Sequence, residues 1–199
     1  MAEVAELFLI SIFTLLVISY LWARLFFFQI DSTKSRRSSY LYDPVVAIQI
    51  LTTYYFFIST TLAPHINANL IISSLAYSTS LFLFWWAVLT CKTMSFAMGG
   101  NVRKIITHGP FGFCRHPFYT SYTLTWIANT FLFPSYSLSI TLAILAGFYW
   151  YSARTEENLI LKSKQGHVYK TYKSNVGMFI PKATQWRSWF SALFQKLVK

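Results

Sequence analysis

The chain has 199 residues, enough for one domain, and is 55% hydrophobic and 20% aromatic with only 12% charged residues. Soluble domains carry about 25% charged residues, so the composition argues against a soluble globular protein and for a membrane protein. Seventeen Lys and Arg against six acids give a net charge of +11. These basic residues flank apolar runs and form no stripe, which points to an anionic membrane surface and away from nucleic acid.

The first apolar segment, Leu7 to Ala23, holds 17 residues without a charge, close to the roughly 20 that span a bilayer as helix. Leu25 to Ile30 extends it past Arg24, whose side chain is expected to snorkel toward headgroups. Glu3 and Glu6 stand where a cleavable leader would carry basic residues, and no small-residue cleavage site follows, so a retained span is expected. A polar loop, DSTKSRRSSYLYD, comes next.

From Pro44 to Cys91 there are 48 residues without Asp, Glu, Lys or Arg. That length suits two spans, Val45 to Leu62 and Leu70 to Leu89, broken by the turn material APHINAN. After a polar loop from Lys92 to His116, Pro117 to Ala153 gives another 37 uncharged residues. One straight helix of that length would run about 55 Å, against a hydrocarbon core of about 30 Å. FPSYS at 133–137 is the fold-back point, which predicts a helical hairpin of Phe118–Phe133 and Leu138–Ala153. Thr155 followed by Glu156 and Glu157 reads as the start of a further helix ending near Gly166. Trp186, Trp189, Phe190, Leu193, Phe194 and Leu197 recur on one helical face, the pattern of an interfacial amphipathic helix.

The expected fold is therefore an all-α integral membrane protein of about five transmembrane helices. It has a C-terminal helical hairpin, a cytoplasmic loop and an interfacial C-terminal helix. It forms a single domain over 1–199, with three spans in 1–91, the loop, hairpin and tail in 92–182, and the terminal helix in 183–199. With five spans, segments 24–43, 92–116 and the tail from 154 share one side and hold 4, 4 and 9 basic residues, all 17. The positive-inside rule then places the C-terminus in the cytoplasm, in a bacterial inner membrane or an endoplasmic reticulum.

Only Glu156 and Glu157 follow Asp43 among the six acids. A hairpin brings them to the mouth of the fourth span, where Arg115-His116-Pro117 stands with Tyr119 and Tyr122. Two basic groups and two carboxylates would converge there. Charges placed near lipid are paired or functional. Helix capping by the acids, or an ion pair with Arg154, is the purely structural reading. Gly109 and Gly112 in HGPFG let the backbone approach a ligand, though the pattern is no dinucleotide fingerprint. Cys91 and Cys114 read as small reduced hydrophobes. No His, Cys and Asp set has metal-ligand spacing, so no metal is expected.

GPFGFCRHPFYTSY, about 35 apolar residues, then RTEENLILKSKQGHVYKTYKSNVGMFIPK resembles the isoprenylcysteine carboxyl methyltransferase and phospholipid methyltransferase superfamily. The matching positions are Gly109, Pro110, Phe111, Arg115, His116, Pro117, Tyr119, Glu156, Glu157, Gly166, Tyr169, Tyr172 and Pro181. The resemblance covers about residues 92–182. Gln165 stands where that family often has Phe, and the loop KTMSFAMGGNVRKIIT is short and lacks its Trp-containing stretch.

The resemblance implies a membrane enzyme that uses S-adenosylmethionine, with the lipophilic acceptor arriving from within the bilayer. It implies cofactor contacts from Arg115, His116 and Tyr119, from Glu156 or Glu157, and from His108, Gly109 and Phe111 around the adenosine. An isoprenylcysteine-like carboxylate is the first acceptor expected, oriented by Arg115 or Arg154. A phospholipid amine or other small lipid is the alternative, with Glu156 or Glu157 as base. Two further readings stay open: an NADPH-dependent reductase of the sterol type, and a non-catalytic membrane protein.

Overall fold

A computed structural model describes residues 2–28, 34–59, 68–91, 105–183 and 185. Among the described residues every regular element is helical: α1 (Ala2–Trp22), α2 (Lys34–Ser59), α3 (Ala68–Cys91), α4 (Pro117–Leu132), α5 (Tyr136–Leu161) and α6 (Gly166–Asn175). A π-helical turn, Ala23–Phe27, extends α1, and a 3-10 turn, Gly109–Gly112, precedes α4. Two segments, Val4–Phe27 and Ala68–Cys91, are long and apolar enough to cross a membrane. Only 28% and 33% of their apolar windows are buried, so most of each apolar surface faces outward. The expected turn at 63–67, the loop 92–104 and the terminal helix from 186 lie outside the described residues.

The packing pairs α3 with α4, α2 with α5, α4 with α5 and α1 with α3. The main core joins Phe13, Tyr77, Trp126, Leu138, Leu145 and Tyr149. Pro117 opens α4 at its first turn, where its missing N–H removes no helical bond. Pro134 stops α4 from continuing, and Ser135 caps α5 by accepting from the Leu138 amide at 3.2 Å. Trp126 Nε1 donates to Tyr149 OH at 2.9 Å, and Tyr119 OH donates to Glu156 Oε1 at 2.5 Å. Ascending α4 thus meets descending positions on α5, and the start of α4 faces the end of α5.

Two helix boundaries differ from the sequence reading. The hydrophobic pattern starts the second span at Val45, but α2 begins at Lys34 and carries Pro44 inside it. An internal proline costs about 3 kcal/mol through a lost backbone bond and crowding of the preceding turn. Tyr42, Val45 and Val46, on either side of it, pack onto the main core and hold the helix through that point. The second difference is that α5 runs on to Leu161. Thr155 caps nothing; its hydroxyl donates back to the Tyr151 carbonyl at 2.9 Å, the bond of a mid-helix threonine. No Gly or Pro falls between Phe148 and Leu161 to stop the helix. Glu156 and Glu157 therefore sit near the C-terminal end of α5, beyond the expected span's limit at Ala153. Gly166 opens α6 instead of closing a helix. A Cβ there would stand 2.2 Å from the Leu161 carbonyl oxygen, so only glycine lets α6 begin so close to the end of α5.

Polar groups run through the apolar bundle. Tyr20 OH lies 2.8 Å from Ser80 Oγ, 3.1 Å from Ser121 Oγ and 2.7 Å from Thr125 Oγ1, joining α1, α3 and α4. Further along α4, Asn129 Nδ2 donates to Thr53 Oγ1 at 2.8 Å while its Oδ1 accepts from Tyr77 OH at 2.6 Å. Arg24, expected to snorkel toward headgroups, pairs with Asp43 at 2.6 Å and ties the π-helical turn to α2.

Candidate functional site

Three chain segments meet at the start of α4. The first is the turn leading into it. Gly109 adopts φ +61, and a Cβ there would stand 2.8 Å from Thr90 Oγ1 on α3. Glycine is needed both for the left-handed backbone and for the close approach. The chain then extends through Cys114, Arg115 and His116 before Pro117 starts the helix. The second segment is the C-terminal tail, which lies alongside this extended stretch. Arg115 N donates to the Gly177 carbonyl at 2.9 Å and His116 N to the Met178 carbonyl at 3.1 Å. Thr120 Oγ1 donates to the Phe179 carbonyl at 2.9 Å, and Tyr172 OH to the Phe111 carbonyl at 2.6 Å. The third segment is the end of α5, where Ala153, Glu156 and Glu157 are buried together, as positions three and four apart on a helix must share a face.

Glu157 is the centre of the charge. It has no exposed surface. Its Oε1 accepts from Arg115 Nε at 2.8 Å, with Arg115 Nη2 at 2.7 Å and His116 Nε2 at 3.3 Å. Lys173 Nζ stands 2.6 Å from Oε2 as an ion pair. The rest of the Arg115 guanidinium is used on the tail: Nη1 donates to the Val176 carbonyl and to the Lys173 carbonyl. Planar guanidinium suits this forked task better than an ammonium.

Glu156 has a different neighbourhood. Its Oε1 accepts from Tyr119 OH at 2.5 Å. Its Oε2 has His116 Nδ1 at 3.6 Å, beyond hydrogen-bond length. The His116 imidazole lies between the two carboxylates and stacks on Tyr119 with ring centres 5.8 Å apart. Tyr119 stacks in turn on Tyr149 at 5.3 Å. Aromatic rings thus continue from the charged cluster into the bundle.

Burial acts on both carboxyls but decides only one. Glu156 is pushed above its ordinary value by desolvation, against the opposing pull of His116 and the Tyr119 hydrogen bond, with the Glu157 charge adding to the rise. Burial also opposes ionisation of Glu157. There the hydrogen bonds from His116, Lys173 and Arg115, together with the Arg115 charge, outweigh it and hold the carboxyl down at about 2. Two adjacent acids are thereby driven in opposite directions.

Of the residues expected from sequence, Arg115, His116, Tyr119, Glu156 and Glu157 come together. Arg154 does not. It is exposed, its guanidinium lies 5.4 Å over the Trp150 ring, and it makes no ion pair with either glutamate. A step of two residues along a helix turns about 200°, so Arg154 points away from Glu156. Arg154, expected to orient an acceptor, thus lies outside the buried cluster. His108 is exposed and does not cap the turn that follows it. The Phe111 side chain is committed to a second core of Ala23, Phe84, Ala87, Val88, Cys91 and Phe118, and Gly109 abuts Thr90. Sequence reasoning missed Lys173, one residue past the matched Tyr172. It also missed Tyr149 and the carbonyls of 176–179, which have no signature in side-chain chemistry. No family model, curated protein or solved structure matches the chain.

Proposed function

We propose that the chain is an integral membrane methyltransferase using S-adenosylmethionine to methylate a lipophilic acceptor, as its motif resemblance implies. One observation carries this reading. Arg115 and His116, some 40 residues from Glu156 and Glu157 in sequence, share one buried cluster with them, with His116 Nε2 3.3 Å from Glu157. A cofactor with a zwitterionic methionyl end needs anionic and cationic partners in one place, and charged groups at a membrane edge are seldom gathered without function. The cofactor supplies an activated methyl on sulfur; the protein's share is alignment and exclusion of water. His116, Tyr119 and Glu156 are the groups that fit that task, since Glu156 Oε2 makes no hydrogen bond among the described residues.

In this reading α1, α2, α3, α4 and α5 as far as Ala153 supply the five spans, and the cluster beyond Ala153 faces the cytoplasm as the basic residues require. At 16 residues α4 extends about 24 Å, less than the hydrocarbon core of about 30 Å, so it crosses only in part or where the bilayer thins. The expected carboxylate acceptor loses its orienting groups, because Arg115 is committed to Glu157 and the tail while Arg154 turns away. A lipid amine fits the described groups better. Methylation of such an amine would release one proton, and Glu156, whose Oε2 makes no hydrogen bond among the described residues, would be the group to take it.

Calorimetry on the detergent-purified chain tests the assignment. Saturable binding of S-adenosylhomocysteine, with NADPH silent, supports it. NADPH binding alone would favour the reductase reading, and neither ligand binding would favour a non-catalytic protein. Labelled methyl transfer into fractionated lipid extracts then identifies the acceptor.

A further inference from the structure

Arg24 and Asp43 stand at the same end of the bundle as the charged cluster and outside it. The π-helical turn that carries Arg24 closes with Phe28 N donating to the Ala23 carbonyl at 2.8 Å. Single π turns of this kind recur at functional sites. Phe27 and Phe28 hold the turn against Phe118 in the first turn of α4, with ring centres 5.9 and 5.2 Å apart. Tyr20, one turn before Arg24, packs edge-on against Tyr122 at 4.6 Å. On the α2 side, Tyr42 precedes Asp43, and its hydroxyl lies 3.0 Å from that of Tyr149. Tyr149 stacks on Tyr119, whose hydroxyl reaches Glu156. The charge of Arg24 acts on the hydroxyls of both Tyr42 and Tyr122. A wall of tyrosines thus runs from the exposed pair to the buried cluster.

The pair is only partly used. Arg24 Nη2 donates to Asp43 Oδ2 at 2.6 Å, the one hydrogen bond its side chain makes among the described residues. A guanidinium carries five donors in a planar fork, so a forked edge stays open. Such an edge fits the oxygens of a phosphate or a carboxylate. With 38% of its side chain exposed, Arg24 sits where a snorkelling arginine meets headgroups. Tyr42, Tyr149 and Tyr119 stand between Arg24 and Glu156, so an anion on Arg24 is not the group methylated at the cluster. It is an anchor at a distance from the reacting end. A phosphate diester joined through a short linker to an amine supplies both ends. A carboxylate acceptor does not, because its anion is itself the reacting group.

We infer that Arg24 is a specificity-determining residue that binds the phosphate of an amine-bearing phospholipid acceptor, with Tyr42, Tyr149 and Tyr119 lining the path of its amine. Aromatic faces attract a cation along that path. The inference rests on the methyltransferase reading for what becomes of the amine, and on Arg24 alone for the phosphate.

The test uses the full-length chain in detergent, with Arg24→Gln and Arg24→Lys. The probes, titrated by calorimetry, are dihexanoyl phosphatidylethanolamine, dihexanoyl phosphatidylglycerol and octylammonium, with inorganic phosphate as competitor. Arg24→Gln should weaken both phosphate-bearing lipids about tenfold, the value of a charged hydrogen bond discounted for exposure, and leave octylammonium unchanged. Arg24→Lys, which keeps the charge but not the fork, should recover only part of the loss. The melting temperature should barely move, because so exposed a pair contributes little to the fold. With labelled S-adenosylmethionine, KM for phosphatidylethanolamine should rise about tenfold in Arg24→Gln while kcat holds. The assignment is overturned if Arg24→Gln weakens all three probes alike or none of them. It is equally overturned if Arg24→Lys binds as the wild-type chain does, since Arg24 would then be a surface charge and no more. Inorganic phosphate that displaces the lipids at matching concentration also overturns it, because the site would belong to free phosphate. A chain that binds no S-adenosylhomocysteine removes the methyltransferase reading, and the lipid titrations still decide the role of Arg24.

Discussion

The bundle contains two buried polar regions built on opposite principles. Around Tyr20 and Asn129 the groups are neutral, and many have a second partner within their own helix. Thr53 also bonds the Gln49 carbonyl at 2.7 Å, and Thr125 the Ser121 carbonyl at 3.3 Å. Loss of one neighbour there leaves a hydroxyl with somewhere to turn. The charged cluster has no such local alternative. Arg115 depends on a carboxylate 42 residues away and on a tail carbonyl 61 residues away. Each member holds the next, so the arrangement should fail as a unit, whereas the neutral network should yield one bond at a time.

The largest effect should come from Glu157→Gln. Removing one partner of a buried ion pair costs about 3–5 kcal/mol because the remaining charges stay buried and unpaired. Thr125→Val, in the neutral network, should cost about 1 kcal/mol. Thermal unfolding of both variants in the same detergent measures the contrast. Equal losses would mean that the cluster is no more cooperative than the hydroxyl network.

Acid titration sharpens the same contrast within the cluster. The carboxyl of Glu157 lies near 2 when folded, below its unfolded value of about 4.3. Its contribution is fully present above about 4.3 and is lost as pH falls through about 2. That contribution is on the order of 3 kcal/mol. Glu156 works with the opposite sign, since its folded value is raised. Its ionisation weakens the fold as pH rises above the unfolded value, so the chain gains stability when Glu156 takes up its proton on acidification. Melting temperature should therefore rise on acidification as Glu156 takes up its proton, and then fall as Glu157 does. Glu156→Gln should remove the rise and leave the fall; Glu157→Gln should remove the fall.

Much of this cluster can be read in the sequence, and the reason is scarcity. Two acids among the last 156 residues stand out, and Pro117 with FPSYS at 133–137 marks where the flanking helices begin and end. Chain direction then brings the pairs together. Other features escape for equally physical reasons. A threonine that caps a helix and one that bonds back to residue i−4 look identical in sequence, which is why Thr155 suggested a break that α5 does not have. Pro44 is a plausible first-turn residue, and only the packing of Tyr42, Val45 and Val46 shows that the helix passes through it. Arg154 is adjacent to the acids in sequence, yet its side chain is exposed over Trp150 while theirs are buried. Lys173 is one of nine basic residues in the tail, and nothing in its neighbours distinguishes the one that reaches Glu157.

A smaller loss should follow from cutting the neutral network at Asn129, which joins α4 to α2 and α3. Asn129 is fully buried between Thr53 on α2 and Tyr77 on α3. Asn129→Leu keeps the branched shape but leaves the Tyr77 hydroxyl without its acceptor. The expected cost is about 1–3 kcal/mol, read as a lower melting temperature with binding of S-adenosylhomocysteine unchanged, since Asn129 lies about 20 Å along the helix axis from the His116 end of α4. A change in that affinity would join the two regions functionally and end the distinction.

The smallest effect belongs to a charged pair that matches the buried cluster in distance alone. Arg24 and Asp43 are as close as Lys173 and Glu157, each pair at 2.6 Å. Their side chains, however, are 38% and 44% exposed, where Glu157 is not exposed at all. Solvent and salt already screen such a pair, so Arg24→Ala should cost no more than about 1 kcal/mol. Raising the salt to about 1 M contracts the screening length to about 3 Å and should abolish even that difference between Arg24→Ala and the wild-type chain. The loss caused by Glu157→Gln should survive the same salt, because Glu157 and Arg115 are shielded from solvent even though Lys173 is partly exposed. Distance alone would assign the two pairs equal weight; the salt titration separates them by what surrounds each charge. If both losses vanished together at high salt, the cluster beneath the tail would be open to solvent, and the shielding ascribed to Glu157 would fall with it.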